Sequence, residues 1–285
     1  FFAVVHYSNV HFPYVYDAHQ APFQPSEFTK AADKNDAFFN YYKNVAYLSD
    51  RAVGRLLEHV KQSDKGSRTV IVYTSDNGYS MGAHGFGDKV LPYEEASKSP
   101  LIIHDPRRPG ERSGKASAAL TGNVDVAPTL LALAGVAAPA GLDGRSLVSL
   151  LDDPAGRVRA ALPLFNYWGA TAAQTLAIVA PGWKYIFWAY GGEGMQPTEE
   201  LFDLSSDPYE MRNVAADPRH ALVLADLRAR YDAELAAIAG SRVEGHDYEK
   251  YPVLFSRTIP WTEKPAAPQP AAGKGKRKAG KADDR

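Results

Sequence analysis

Cysteine is absent from all 285 residues, which excludes disulfides, thiolate metal sites and a cysteine nucleophile within the chain and leaves the redox compartment open. No stretch approaches the roughly eighteen consecutive apolar residues of a membrane helix, so no membrane span is expected. An excess of either charge is also lacking. With 32 Lys and Arg against 33 Asp and Glu, the formal net charge is -1, which gives no general attraction to nucleic acid or an anionic surface. The chain opens on Phe1-Phe2-Ala-Val-Val5 without Met or a charged leader, and is expected to begin inside a strand whose protein starts elsewhere.

What is present is an ordinary globular balance, 45% hydrophobic and 23% charged, enough for a substantial core. Phe1 to Tyr7 is apolar, β-branched and aromatic, which predicts a fully buried strand containing His6, followed by a loop from Ser8 to Pro13. Residues 14–34 lack a period and predict a long surface loop. Phe38, Tyr41, Val45, Leu48, Ala52, Leu56 and Val60 recur at three- or four-residue steps, so a helix is predicted from Asn35 to about Gln62, capped by Asn35 or Asp36. Ser63 to Gly66 stops it, and Thr69 to Tyr73 predicts a second buried strand. Strand, helical crossover and strand would form a parallel βαβ unit.

Further on, Glu94 to Ser97 predicts a helical turn, Pro100 to His104 a strand, and Asn123 to Ala134 a capped helix stopped by Gly135. After Leu151 the character changes. Leu176 to Ala180, the turn Pro181-Gly182 and Trp183 to Trp188 predict a hairpin, Glu200 to Leu204 another strand, and Pro218 to Ala239 a closing helix. The division expected is an α/β domain over residues 1–155, a small α+β module over 156–262, and a disordered Lys/Ala/Pro/Gly tail over 263–285.

In open α/β sheets ligands gather beyond the carboxyl ends of strands, which draws attention to Ser8 to His11 and to the segment from Ser75 to Lys89. Asp76 and Asn77 supply a carboxylate and an amide carbonyl, hard oxygen donors suited to Ca²⁺ or Mg²⁺. Two donors do not fill the roughly six to eight positions of Ca²⁺, and Asp-Asn-Gly taken alone is more often simply a turn.

The ordered run Asp76-Asn77-Gly78, Gly82-Ala83-His84-Gly85, Lys89, Tyr93-Glu94-Glu95 and Pro100-Leu-Ile-Ile resembles the sulfatase family of the alkaline-phosphatase superfamily. His11-Phe12-Pro13, the helix from Tyr41 to Leu57, the stretch from Asn123 to Gly135, Leu142-Asp-Gly-Arg-Ser-Leu147 and the segment from Leu201 to Val214 match in family order. The resemblance implies an alkaline-phosphatase-like α/β fold, a mostly parallel sheet flanked by helices and incomplete at its N-terminus, with a small C-terminal subdomain containing antiparallel strands. It implies Asp76 and Asn77 as ligands of a Ca²⁺ ion, Mg²⁺ being the lesser alternative, Lys89 at the sulfate oxygens, and His11 at the sulfate and the leaving oxygen. These roles suit the chemistry, since a cation and a fixed ammonium offset charge on sulfate oxygens, and a histidine can protonate the departing one. His84, Glu94 and Lys98 are read as structural.

The family's nucleophile is a formylglycine made from Cys or Ser in a Cys/Ser-x-Pro-x-Arg motif, and no such motif occurs here: Ser206-Asp-Pro208-Tyr-Glu210 ends on the wrong residue. The formylglycine is therefore expected outside these residues, in a longer protein of which this is the later portion, and the chain alone is expected to be inactive. The function implied is sulfuric ester hydrolysis on a sulfated small molecule or glycan, in a periplasmic or secreted setting. Phosphodiester or phosphonate monoester hydrolysis is the nearest rival, and Asn77 in place of histidine disfavours it; a non-catalytic scaffold is the rival from another class.

Overall fold

The computed structural model describes residues 1–25, 34–85, 89, 91–108, 114–167, 173–191, 196–240 and 250–265. Residues 266–285 of the expected tail and the side chains of Asn35 and Asp36, the expected helix caps, lie outside the described residues, whereas Lys264, also expected in that tail, is buried. The chain forms two compact units, Phe1–Tyr73 with Ile102–Ser113, and Thr74–Leu101 with Gly114–Arg285.

The first unit is built on α1, Lys34–Gln62, as the apolar spacing predicts. Residues 14–25 form an irregular and mostly exposed segment, as expected of a surface loop, and several of its rings pack on α1. Tyr14 is buried and its ring meets Phe38 and Tyr42, Tyr16 meets Tyr41, and Phe23 meets Tyr47. Asn44, fully buried, replaces a missing secondary-structure partner: its amide bonds both the N–H and the C=O of Phe23, at 2.9 and 3.0 Å. Satisfying backbone groups this way is what allows an irregular segment to lie against a core. Beyond the helix, a Cβ on Gly66 would lie 2.7 Å from the Val60 carbonyl oxygen, so the chain can turn back this tightly only without a side chain.

Phe1 to Tyr7 forms no strand, and Phe1, Phe2, Val4, Val5 and His6 are exposed. The predicted buried strand, the placement of His6 within it and the βαβ unit built on it are therefore corrected. A run of suitable side chains makes a strand only where another strand accepts its backbone hydrogen bonds, and none of the described residues does so. Strands β1, Ile71–Thr74, and β2, Leu101–His104, pair in a two-stranded sheet; with one neighbour each they remain half-covered, and Tyr73 and Ile102 are exposed rather than buried.

In the second unit, α2 is Glu94–Ser97 and α3 is Val126–Leu133, entered through a 3-10 turn at Asn123–Asp125 and left at Gly135, whose φ of 71° suits glycine. α4 is Val148–Asp152. A four-stranded antiparallel meander follows: β3 Leu162–Asn166, β4 Thr175–Ala180, β5 Trp183–Trp188 and β6 Thr198–Asp203. The Pro181-Gly182 turn sets the β4–β5 register, pairing Ala180 with Trp183. The sheet is covered on both faces. Leu176, Ile178, Tyr185 and Phe187 point to α5, Ala221–Gly240, while Ala177, Ile186 and Phe202 pack with Leu91 and Tyr93. Double burial explains why β4 and β5 read as nearly unbroken apolar runs. The short α6, Tyr251–Leu254, packs on α5, with Leu254 and Phe255 in the core.

Candidate active site

Asp76 and Asn77 follow β1 after a single residue, Ser75. Ser75 Oγ donates to the Asn77 carbonyl at 2.9 Å, the Asn77 N–H donates to Asp76 Oδ1 at 3.0 Å, and Asn77 Nδ2 donates to the Gly78 carbonyl at 2.6 Å. The amide's donor end is thereby engaged, and its carbonyl oxygen could serve as a donor to a cation beside the exposed Asp76 carboxylate. Two hard oxygens on a fixed turn fit a cation such as Ca²⁺ or Mg²⁺ but make only part of its coordination shell.

The turn is held from two directions. Asn123 Nδ2 donates to the backbone carbonyls of Ser75 and Asp76 at 3.0 and 2.8 Å. On the other side, the Gly78 N–H donates to the Ala96 carbonyl in α2 at 2.9 Å. A Cβ at position 78 would lie 2.0 Å from the Glu95 carbonyl oxygen, so only glycine permits this approach.

Behind α2 lies a charge cluster that sequence reading did not find. Lys184 of β5 is fully buried, and its ammonium sits 2.8 Å from Glu94 Oε1, 2.8 Å from Glu210 Oε1 and 2.9 Å from the Pro92 carbonyl. Glu210 Oε2 accepts the Glu94 N–H at 2.6 Å, and Glu210 holds a left-handed φ of 55° to reach it. Burial pushes the Glu210 carboxyl up, and Lys184 offsets this only in part. Burial pushes Glu94 up as well, but Lys184 and Lys98 together hold it below its ordinary range. Glu94 also pairs with Lys98 at 3.4 Å, although Lys98 is exposed and Lys184 is the buried partner. The signal for Lys184 lay in the alternation of β5, where a lysine falls in phase with the buried Ile186.

His84 stacks on Tyr93 with ring centroids 4.0 Å apart, and its Nε2 lies 3.7 Å from Glu95 Oε2. Ligand atoms of His84, Glu95 and Glu210 fall within 4.8 Å of one another. The Lys184 ammonium on Glu210 already supplies positive charge there, so the structural reading of His84 fits this packing better than a second cation site.

Lys89 is half-buried in the same unit as the Asp76-Asn77 turn. His11 belongs to the other unit. It is exposed, its Nδ1 is 2.6 Å from the Phe12 carbonyl, and its N–H closes a turn onto Ser8. That turn is tied to α1 by Asn9, which donates to the Val45 carbonyl at 3.4 Å and accepts from Ser49 Oγ at 3.2 Å.

The family model described as Sulfatase matches residues 1–136, and that described as N-sulphoglucosamine sulphohydrolase, C-terminal, matches residues 82–236. The chain belongs to the sulfatase family. It is 32% identical over 196 residues to N-acetylglucosamine-6-O-sulfatase of Bacteroides thetaiotaomicron, covering 66% of this chain and 34% of that protein. Among solved structures it is similar to a complex with the substrate D-glucosamine-2-N,6-O-disulfate, at 30% identity and a TM-score of 0.64, covering 71% of this chain and 41% of that one. It is also similar to the phosphonate monoester hydrolase of Agrobacterium radiobacter, at 28% identity and a TM-score of 0.56, covering 70% and 42%. The chain thus spans about a third of the length of the curated relatives it matches. The fold is the α/β fold of these enzymes with a small C-terminal subdomain, although the larger sheet among the described residues is the antiparallel one. The family suggests a metal ion, and no described helix is long and apolar enough to cross a membrane.

Proposed function

We propose that the protein carrying these residues is a sulfuric ester hydrolase acting on a sulfated small molecule or glycan, with Ca²⁺ as its metal and a periplasmic or secreted location. The observation that carries the reading is the Asp76-Asn77 turn, braced by Asn123 and by α2, in a chain similar to enzymes named for sulfate ester substrates. Asp76 and Asn77 would hold the cation, which when bound offsets negative charge on the sulfate oxygens. Lys89 is assigned to those same oxygens as a fixed ammonium, and His11 to the leaving oxygen, to which it gives a proton or a hydrogen bond. The nucleophile is assigned to a formylglycine outside these 285 residues, because no Cys/Ser-x-Pro-x-Arg motif occurs among them.

Phosphonate monoester or phosphodiester hydrolysis is the second reading, favoured by the similarity to the Agrobacterium enzyme. Transition states at sulfur and phosphorus make similar demands on charge, and Asn77 rather than histidine speaks for sulfate. Assays of the complete protein on an aryl sulfate and on an aryl phosphodiester separate the two, with mass spectrometry for formylglycine. Faster turnover of the sulfate is expected; faster turnover of the phosphodiester would reverse the order, and no turnover of either would leave the scaffold reading.

A further inference from the structure

The Asp76-Asn77 turn is held against α2 by the Gly78 N–H, so the position of α2, together with the Asn123 bonds, bears on where the two proposed ligand side chains stand. α2 has only four residues and cannot hold itself by helical hydrogen bonding. Its N-terminal end is fixed instead by charge. The Glu94 N–H donates to Glu210, the Glu94 carboxylate pairs with Lys184, and Lys184 also bonds the Pro92 carbonyl just before the helix. Lys184 further reaches Ser97 Oγ at the helix's other end, at 3.5 Å. A single ammonium on the antiparallel sheet therefore touches both ends of the element against which Gly78 is pressed.

We propose that Lys184 is a positioning residue for the metal-ligand pair: its buried ammonium, shared between Glu94 and Glu210, fixes α2 and through the Gly78 to Ala96 hydrogen bond sets the Asp76-Asn77 turn. The inference rests on the assignment of Asp76 and Asn77 as cation ligands. It gives the C-terminal sheet a part in the chemistry, although neither that sheet nor α5 supplies a proposed catalytic or ligand side chain. A buried lysine could instead serve stability alone, and removing its charge strands the buried Glu210 carboxylate and the half-buried Glu94, so melting temperature cannot separate the two roles. Cation affinity can.

The test is Ca²⁺ titration of the complete protein, followed calorimetrically, for wild type, Asp76→Ala, Lys184→Met and Glu94→Gln. Groups that orient metal ligands from outside typically cost about 10- to 100-fold in affinity when removed. Lys184→Met is expected to weaken Ca²⁺ about tenfold, at the lower end because it acts at one remove. Glu94→Gln, a milder change at a partly exposed carboxylate, is expected to weaken it about threefold and covers the case in which Lys184→Met does not fold. If Asp76→Ala loses Ca²⁺ while both other variants, folded, bind within the wild-type error, the positioning role is overturned and the ligand assignment stands. If Asp76→Ala itself binds Ca²⁺ like wild type, the ligand assignment falls and the positioning role falls with it.

Discussion

Asp125 shows how one buried side chain organises a region. Fully buried, it accepts the backbone N–H groups of Gly122 and Arg145 at 2.9 and 2.8 Å and receives the Arg159 guanidinium on both oxygens. Its carbonyl takes the Thr129 hydroxyl at 2.6 Å, and that hydroxyl oxygen takes the Leu147 N–H at 2.9 Å. Burial would push the Asp125 carboxyl up, but Arg159 and the two N–H groups hold it below the carboxylate range. A depressed carboxyl contributes stability that is present above its unfolded value, about 4, and lost as pH falls through the folded one. Asp125→Asn leaves Arg159 buried without its counter-ion, and is expected to cost about 3–5 kcal/mol at neutral pH, measured by urea unfolding, with a gap that narrows below about pH 4. A neutral variant as stable as wild type would remove Asp125 from this role. Asp76 and Asn77 could be proposed from the sequence because their chemistry is local, two oxygen donors at the end of an apolar run. Asp125 and Lys184 were not, because their meaning lies in partners up to 92 residues away.

Elements were legible where a local rule is enough to determine them. α1 follows from its apolar period, and the β4–β5 hairpin from Pro181-Gly182, where Gly182 takes a φ of 77°. β3 was missed because Pro163 speaks against a strand. It is tolerated because, among the described residues, β3 is an edge strand with β4 as its only neighbour. Phe1 to Tyr7 failed in the opposite sense, with strand composition and no partner strand among the described residues. The segment around α6 is held to the sheet by Lys264, whose ammonium donates to the carbonyls of Ala189 and Ser256 at 3.1 and 2.7 Å and lies near the Phe187 and Tyr190 rings. Burial pushes Lys264 down to about 8. Between that value and its unfolded value near 10.4 the unfolded chain binds more protons, so this contribution to stability rises with pH. The difference in unfolding free energy between wild type and Lys264→Met should therefore move in favour of wild type from pH 8 to pH 10. A flat or falling difference would show that the ammonium is not penalised by burial.

For the whole molecule, the family was legible because many weak motifs keep one order along the chain, whereas each alone is a common turn, loop or helix. The part played by the small antiparallel sheet was not legible, since it depends on Lys184 and Glu210 meeting Glu94 in space. As proposed, Asp76 and Asn77 would supply only two of the oxygens a calcium ion requires, so the function proposed is that of a complete protein in which further ligands and the nucleophile join them. Sulfate ester turnover by that protein with and without chelator, for wild type, Asp76→Ala and Asn77→Ala, tests the central claim most directly. The prediction is that chelator abolishes wild-type turnover, that added Ca²⁺ restores it, and that each variant loses at least about 100-fold, in line with removal of an electrostatic group at the reacting centre. Wild-type turnover that persists in chelator, or either variant turning over at the wild-type rate, would contradict it.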